Sequence, residues 1–320
     1  MNFTTALKKE ILQQKPENSC CEYALLSGFL RSSVSVIKNS AGYGFELRVE
    51  SEEIANFFSE LLFKLYGTEP DLFAFKEDKL NACERFILRY HGERAFFLMK
   101  ELGILSFDNN PELLSTISPY LTENECCRRA YLKGVFLGAG TATLPEKSSS
   151  DSTQKTATGY HLQFVFSTHA YATSFCAFLA EFDLLPKLIE RKSGFVVYFK
   201  SSQQISDILA LIGTSNGVLT LQDRLVEKSF QNDLNRRVNC EMGNMTKQVN
   251  AFVAHKMAIE GIDQVLGLEN LPQPLQAVCI ARLENPDVSM ETLAELLGIS
   301  KSCLNHRLRK ITSIYRTITQ

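Results

Sequence analysis

The residues whose chemistry first needs an account are two adjacent thiol pairs. Cys20 and Cys21 lie in ENSCCEYALLSGFL, and Cys126 and Cys127 lie in ENECCRRAYLKGVF. Thiols in such density can ligate zinc, form disulfides or carry redox chemistry. Zinc sites ordinarily space paired ligands two to four residues apart, and no CxxC occurs in the chain. The nine cysteines are an odd number, and cytosolic thiols stay reduced. Adjacent helical residues point about 100° apart, so one member of each pair can face a core. The expectation is that these cysteines act as small buried hydrophobes, with no metal and no cofactor.

A second constellation is SMETLAELLGISKSCLNHRLRKI, residues 289–311. Leu293, Ala294, Leu297, Ile299, Leu304 and Leu308 follow the spacing of two short helices, with Gly298 at the turn between them. Ser289 and Ser300 stand where N-caps belong. Leu304, Leu308 and Ile311 fall on one face of the second helix. Ser302, His306 and Arg309 fall opposite, with Asn305 and Lys310 beside them. From Ser300 onward the chain carries Lys301, Arg307, Arg309, Lys310 and Arg316 and no carboxylate. A positive, acid-free second helix is the groove-reading element of a helix-turn-helix. Ser302, Asn305, His306 and Arg309 are expected at base edges of double-stranded DNA, and Lys301, Arg307 and Lys310 at phosphates. His306 has no second histidine or paired cysteine at ligand spacing, so no metal is assigned to it. The sequence has no Walker loop, GxSxG, HExxH or dinucleotide fingerprint, and no catalytic residue is assigned.

The elements that must position these groups carry an internal repeat. Glu17, Asn18, Cys20, Cys21, Ala24 and Gly28 recur as Glu123, Asn124, Cys126, Cys127, Ala130 and Gly134, each 106 residues later. Ala24, Gly28 and Ser32, like Ala130, Gly134 and Gly138, lie along one face of a helix. Two such stripes of small residues let two helices approach closely, so the copies are expected to pack stripe to stripe about a pseudo-twofold axis. After each of these helices come two alternating, strand-like runs, a helix, two more strands and a helix. In the first copy the runs are SVSVIK, YGFELRVE, DLFAFK and RFILRYH. In the second they are TATL, YHLQFVFS, PKLIERK and FVVYFK. Each half reads αββαββα. The polar stretch PEKSSSDSTQKTATG interrupts the second hairpin and reads as a loop.

From about residue 220 only helical patterns follow. The fold class is therefore α+β, with a pseudo-twofold tandem αββαββα domain at 1–219 (repeats about 18–105 and 124–215). An all-α helix-turn-helix region at 220–320 follows it. The net charge of −2 excludes a molecule that is basic overall, so nucleic-acid binding must be local. No apolar run approaches the ~20 residues of a membrane span, and MNFTTALKKEILQQ lacks the apolar centre of a signal peptide. A cytoplasmic protein with no membrane partner is expected.

The tandem αββαββα pattern with its small-residue first helix resembles the LAGLIDADG homing-endonuclease fold over roughly residues 18–215. In that family a carboxylate ends each motif helix, and the pair holds divalent metals for phosphodiester cleavage. The corresponding stretches here are Leu26–Val34 and Leu132–Gly140, which place Ser33 and Ala139 at the carboxylate positions. Neither side chain offers the charged oxygen a hard cation requires, so the resemblance implies a retained fold without the cleavage. The alternatives are a nuclease with relocated ligands, for which Glu146 and Asp151 of the polar stretch are the nearby acids, and a protein-interaction adaptor.

Four stretches resemble the WhiA family of bacterial transcription regulators. They are AYLKGVFLGAG, Asn239-Cys240 with Asn244, LPQPLQAVCIARLENPDVSMETLAELLG, and ISKSCLNHRLRKI. The resemblance spans nearly the whole chain. It implies a sequence-specific DNA-binding regulator at the nucleoid, linked to sporulation or to cell division and chromosome segregation. It also implies a C-terminal module like region four of sigma factors, with RNA polymerase or other regulators as partners.

Overall fold

The computed structural model describes residues 2–39, 42–77, 83–108, 110–145, 159–192 and 194–319. The chain divides into two compact units, Met1–Val226 and Glu227–Gln320.

The first unit opens with α1 (Phe3–Leu12), which the sequence reading leaves unassigned. Asn2 caps it by accepting from Thr5 N–H at 2.8 Å, and Leu7 and Ile11, four residues apart, bury its inner face. The first repeat follows as α2 (Ser19–Ser33), β1 (Val34–Asn39), β2 (Gly42–Val49), α3 (Glu52–Tyr66), β3 (Asp71–Glu77), β4 (Cys83–His91) and α4 (Glu93–Glu101). The second repeat is α5 (Glu125–Ala139), β5 (Gly140–Thr143), β6 (His161–Phe166), α6 (His169–Ala180), β7 (Lys187–Arg191), β8 (Gly194–Phe199) and α7 (Ser202–Leu211). Both repeats are αββαββα, and their antiparallel sheets share one topology, β1-β2-β4-β3 and β5-β6-β8-β7. The alternating strands have a buried face because every second residue points the same way. Phe45 pairs with Tyr90 and Leu47 with Leu88 in one sheet. Phe164 pairs with Val197 in the other, and all six are buried. Residues 146–158 of the polar stretch, Glu146 and Asp151 among them, lie outside the described residues.

The two halves meet along α2 and α5. A Cβ built on Gly28 would stand 2.2 Å from the Tyr131 carbonyl oxygen, and one on Gly134 would stand 2.1 Å from that of Leu25. A Cβ on Gly138 would meet Ser32 Oγ at 2.2 Å. Backbone therefore faces backbone, and only glycine fits at Gly28 and Gly134. Low numbers on α2 oppose low numbers on α5, so the helices run parallel, with both N-termini at one end of the seam. The matched small stripes pack as the repeat predicts.

Glu10 of α1 caps the start of α8 (Ser215–Leu266), its carboxylate accepting from Asn216 N–H at 2.9 Å and Gly217 N–H at 3.3 Å. A carboxylate there meets unsatisfied N–H groups and the positive end of the helix dipole. The sequence suggests helix in this region, but not a single 52-residue helix. Residues 227–250 are exposed on every face, although Phe230, Leu234, Val238, Met242, Met245 and Val249 recur along them at three- and four-residue spacing.

In the second unit α9 (Gln273–Glu284), α10 (Met290–Leu296) and α11 (Lys301–Ile318) follow α8. Ile259 and Ile262 of α8 share a core with Leu275, Val278 and Cys279 of α9, Leu293 and Ala294 of α10, and Leu304, Leu308 and Ile311 of α11. No helix is long and apolar enough to cross a membrane, among the described residues.

Candidate nucleic-acid interface

The helix-turn-helix is built by α10 and α11. Ser289 accepts from Thr292 N–H at 3.2 Å and so caps α10. Gly298, at φ +63°, takes the left-handed conformation that reverses the chain with least strain. Ser300 caps α11 by accepting from Cys303 N–H at 3.2 Å. With Leu304, Leu308 and Ile311 locked in the core, the rotation of α11 about its axis is fixed. Ser302, Asn305, His306, Arg309 and Lys310 are consequently exposed together on its outer side.

Two of the expected residues have additional partners. Lys301 is exposed and pairs with Glu291 of α10 at 3.5 Å. An exposed pair of this kind holds its lysine only weakly, so the ammonium can exchange the carboxylate for another anion. Arg307 is half-buried, and its Nη1 donates to the Pro274 carbonyl at 3.4 Å. That bond directs Arg307 toward α9 and away from the group on the outer side. Beside this surface Asn305 and Arg309 line a groove between α11 and α8, together with His255, Thr312 and Arg316. His255 Nδ1 is buried without a hydrogen-bond partner. Burial, reinforced by the nearby Arg282, holds its imidazole below the usual histidine range.

The carboxyl-terminal ends of α2 and α5 are where a homing endonuclease would hold metal. Ser33 Oγ donates to the Phe29 carbonyl at 2.6 Å, turned back onto its own helix. Ala139 has no polar side-chain atom to offer. Gly138 lines a small cavity with Lys8 and Glu50. Lys8 is only 5% exposed and pairs with Glu50 at 2.8 Å. A buried ammonium at this end complements the negative ends of the helix dipoles. The position thus holds a fixed cation and a carboxylate already paired with it.

The opposite end of the seam brings the four repeat cysteines together. The thiol sulfurs of Cys20, Cys21, Cys126 and Cys127 all lie within 4.8 Å of one another. Cys21 and Cys127 are buried, as helical geometry predicts for one member of each pair, whereas Cys20 is exposed and Cys126 half-buried. Across the seam the Cys21 thiol lies beside that of Cys126, and the Cys127 thiol beside that of Cys20. Burial pushes the Cys21 thiol up to about 11 and the Cys127 thiol further up. The sequence reading missed this convergence because each pair alone lacks zinc-ligand spacing.

On the first sheet Glu46 points away from the buried face, between Arg89 (2.9 Å) and Arg48 (3.3 Å). The hydrogen bond from Arg89 leads in holding this carboxyl below the usual carboxylate range. The pairing offsets two positive charges that this sheet face could otherwise present to phosphates.

Comparison with known proteins covers nearly the whole chain. A WhiA N-terminal LAGLIDADG-like domain matches residues 19–105, a WhiA LAGLIDADG-like domain matches residues 128–231, and a WhiA C-terminal HTH domain matches residues 234–315. A probable cell division protein WhiA of Brevibacillus brevis is 33% identical, covering 98% of this chain and 96% of the relative. One of Shouchella clausii is 34% identical, covering 97% and 93%. In fold, the chain is similar to full-length DUF199/WhiA from Thermatoga maritima, with a TM-score of 0.56, 21% identity and 99% of each chain covered.

Proposed function

This chain belongs to the WhiA family, and from that premise we propose that it is a cytoplasmic, nucleoid-associated transcription regulator that binds duplex DNA sequence-specifically. The observation that carries the reading is the outer side of α11. Ser302, Asn305, His306, Arg309 and Lys310 are exposed together on a helix whose opposite face is fixed by its core residues. No carboxylate on that helix repels phosphate. Arg309 and Asn305 have the donor geometry to read guanine and adenine edges. Lys310 and Lys301 supply phosphate contacts, and Arg307 supplies a weaker one because of its bond to Pro274. Relatives are named as probable cell division proteins; a role in cell division and chromosome segregation, or in sporulation, is assigned to this chain. RNA polymerase or another regulator is its protein partner.

The first unit is a scaffold, a weak second DNA contact or a partner-binding surface, and not a nuclease. Support comes from Ser33 bonded to its own helix, from Ala139, and from Lys8 buried beside Gly138. Selecting duplexes from a random pool with the intact protein, and footprinting the winners, tests the reading. A shared motif protected over one or two major-groove faces supports it. Recovery of no motif above background contradicts it.

A further inference from the structure

The geometry points to a metal site at the N-terminal end of the α2–α5 seam, where Cys20, Cys21, Cys126 and Cys127 bind one Zn²⁺ ion as four thiolates. Among the described residues this is the one group of His, Cys, Asp and Glu side chains placed to share a metal ion. The four sulfurs lie within 4.8 Å of one another. A zinc tetrahedron with Zn–S bonds of about 2.3 Å has sulfur–sulfur edges of about 3.8 Å. Small side-chain rotations close that difference without moving the helices. Four soft sulfur donors, with no carboxylate among them, select zinc over magnesium, calcium or manganese. A four-iron cluster is also held by four thiolates, but its cubane core spreads them more widely than a single ion does.

The fold explains why adjacent cysteines can do this. Two consecutive residues of one helix send their side chains about 100° apart. One such pair cannot surround an ion, but the pseudo-dyad supplies a second pair from the parallel helix. All four residues stand in the first turns of α2 and α5. There the positive ends of the helix dipoles favour anionic ligands, and a bound zinc ion deprotonates the thiols that coordinate it. Lys133, half-buried, interacts electrostatically with Cys21 and offsets part of the net negative charge of a zinc tetrathiolate. Binding one Zn²⁺ to four thiols releases four protons and changes no oxidation state.

The site is closed, with no position left for water or substrate, which makes it structural. Cys21 and Ser33 are twelve residues apart on one helix, about 18 Å at 1.5 Å per residue. The zinc therefore stands at the opposite end of the seam from the carboxylate positions of a homing endonuclease. It pins the two repeats where their glycine stripes begin.

The test uses the full chain, purified without a metal-affinity step and kept reduced. Elemental analysis should find one zinc per chain. A mercurial titrant should release it in step with the cluster thiols, as read by a metallochromic dye. Cobalt substitution should give the visible bands of a tetrahedral tetrathiolate. Cys20 is exposed, so Cys20→Ser should fold while losing the bound equivalent, as should Cys126→Ser. A folded wild-type chain that contains no zinc and takes up neither zinc nor cobalt overturns the proposal, independently of any variant. An iron–sulfur chromophore after anaerobic purification overturns it as well. So does a Cys21–Cys126 or Cys20–Cys127 disulfide in protein freshly isolated under reducing conditions.

Discussion

Replacing Gly134 with alanine adds one methyl group at the tightest point of the α2–α5 seam. In an unobstructed helix the change would stabilise by about 1 kcal/mol, because glycine is the poorer helix former. Here the new Cβ would stand 2.1 Å from the Leu25 carbonyl oxygen and 2.8 Å from the Phe29 nitrogen. Both obstacles are backbone, so no rotamer change relieves them. The helices must separate by about 1 Å, which forfeits a quarter to a half of the dispersion energy of the atoms that face across the seam. Overpacking of this kind costs about 1–3 kcal/mol, occasionally more. Set against the propensity gain, a net loss of up to about 2 kcal/mol is expected for the first unit. Gly138→Ala should lose less, since its closest obstacle is the Ser32 hydroxyl, which can rotate away. Gly243→Ala, with nothing within 4 Å, should gain up to about 1 kcal/mol. The chain has no tryptophan, so urea denaturation is best followed by circular dichroism and tyrosine fluorescence. A Gly134→Ala midpoint at or above wild type would refute the close approach of the two repeats.

Two further outcomes follow from the same geometry. Purified protein incubated with Mg²⁺ or Mn²⁺ and a duplex carrying its selected site should leave the DNA intact; specific cleavage abolished by EDTA would show that metal ligands exist elsewhere in the fold. His255 is held neutral in the folded state by burial, so its folded pKa lies below its unfolded value near 6.5. As pH falls through that value the unfolded chain takes up a proton and the folded chain does not, so the second unit should lose stability. His255→Gln should flatten that dependence between about pH 7.5 and 5.5, and an unchanged slope would place the linkage on another group.

Much of the architecture was legible because local chemistry and tertiary packing agree. The stripes Ala24-Gly28-Ser32 and Ala130-Gly134-Gly138 are small because backbone lies opposite them. Their shared spacing encodes the pseudo-dyad. Ser289, Gly298 and Ser300 mark the helix-turn-helix because caps and a left-handed turn restrict residue type. Features created only by tertiary assembly stayed hidden. The four cysteines converge because two distant helices run parallel, which neither CC pair encodes alone. The clamp of α1, in which Thr4 Oγ1 donates to the Ala142 carbonyl at 2.8 Å and Glu10 caps α8, depends on partners over a hundred residues away. Arg307 looks like a flank residue on a helical wheel, but the position of α9 turns it toward Pro274.

Whether α11 reads DNA is tested most directly by titration of two neighbouring variants. Arg309→Ala and Lys310→Ala are compared with wild type on the selected duplex and on a scrambled one, at several salt concentrations. Loss of a bidentate base contact costs about 1–3 kcal/mol and relaxes sequence preference, whereas loss of a phosphate contact weakens all duplexes alike and lowers the salt slope by about one. Arg309→Ala should therefore narrow the gap between the two duplexes, and Lys310→Ala should weaken both and flatten the salt dependence. Wild-type affinity, specificity and salt slope in both variants would mean that DNA is not bound through this helix.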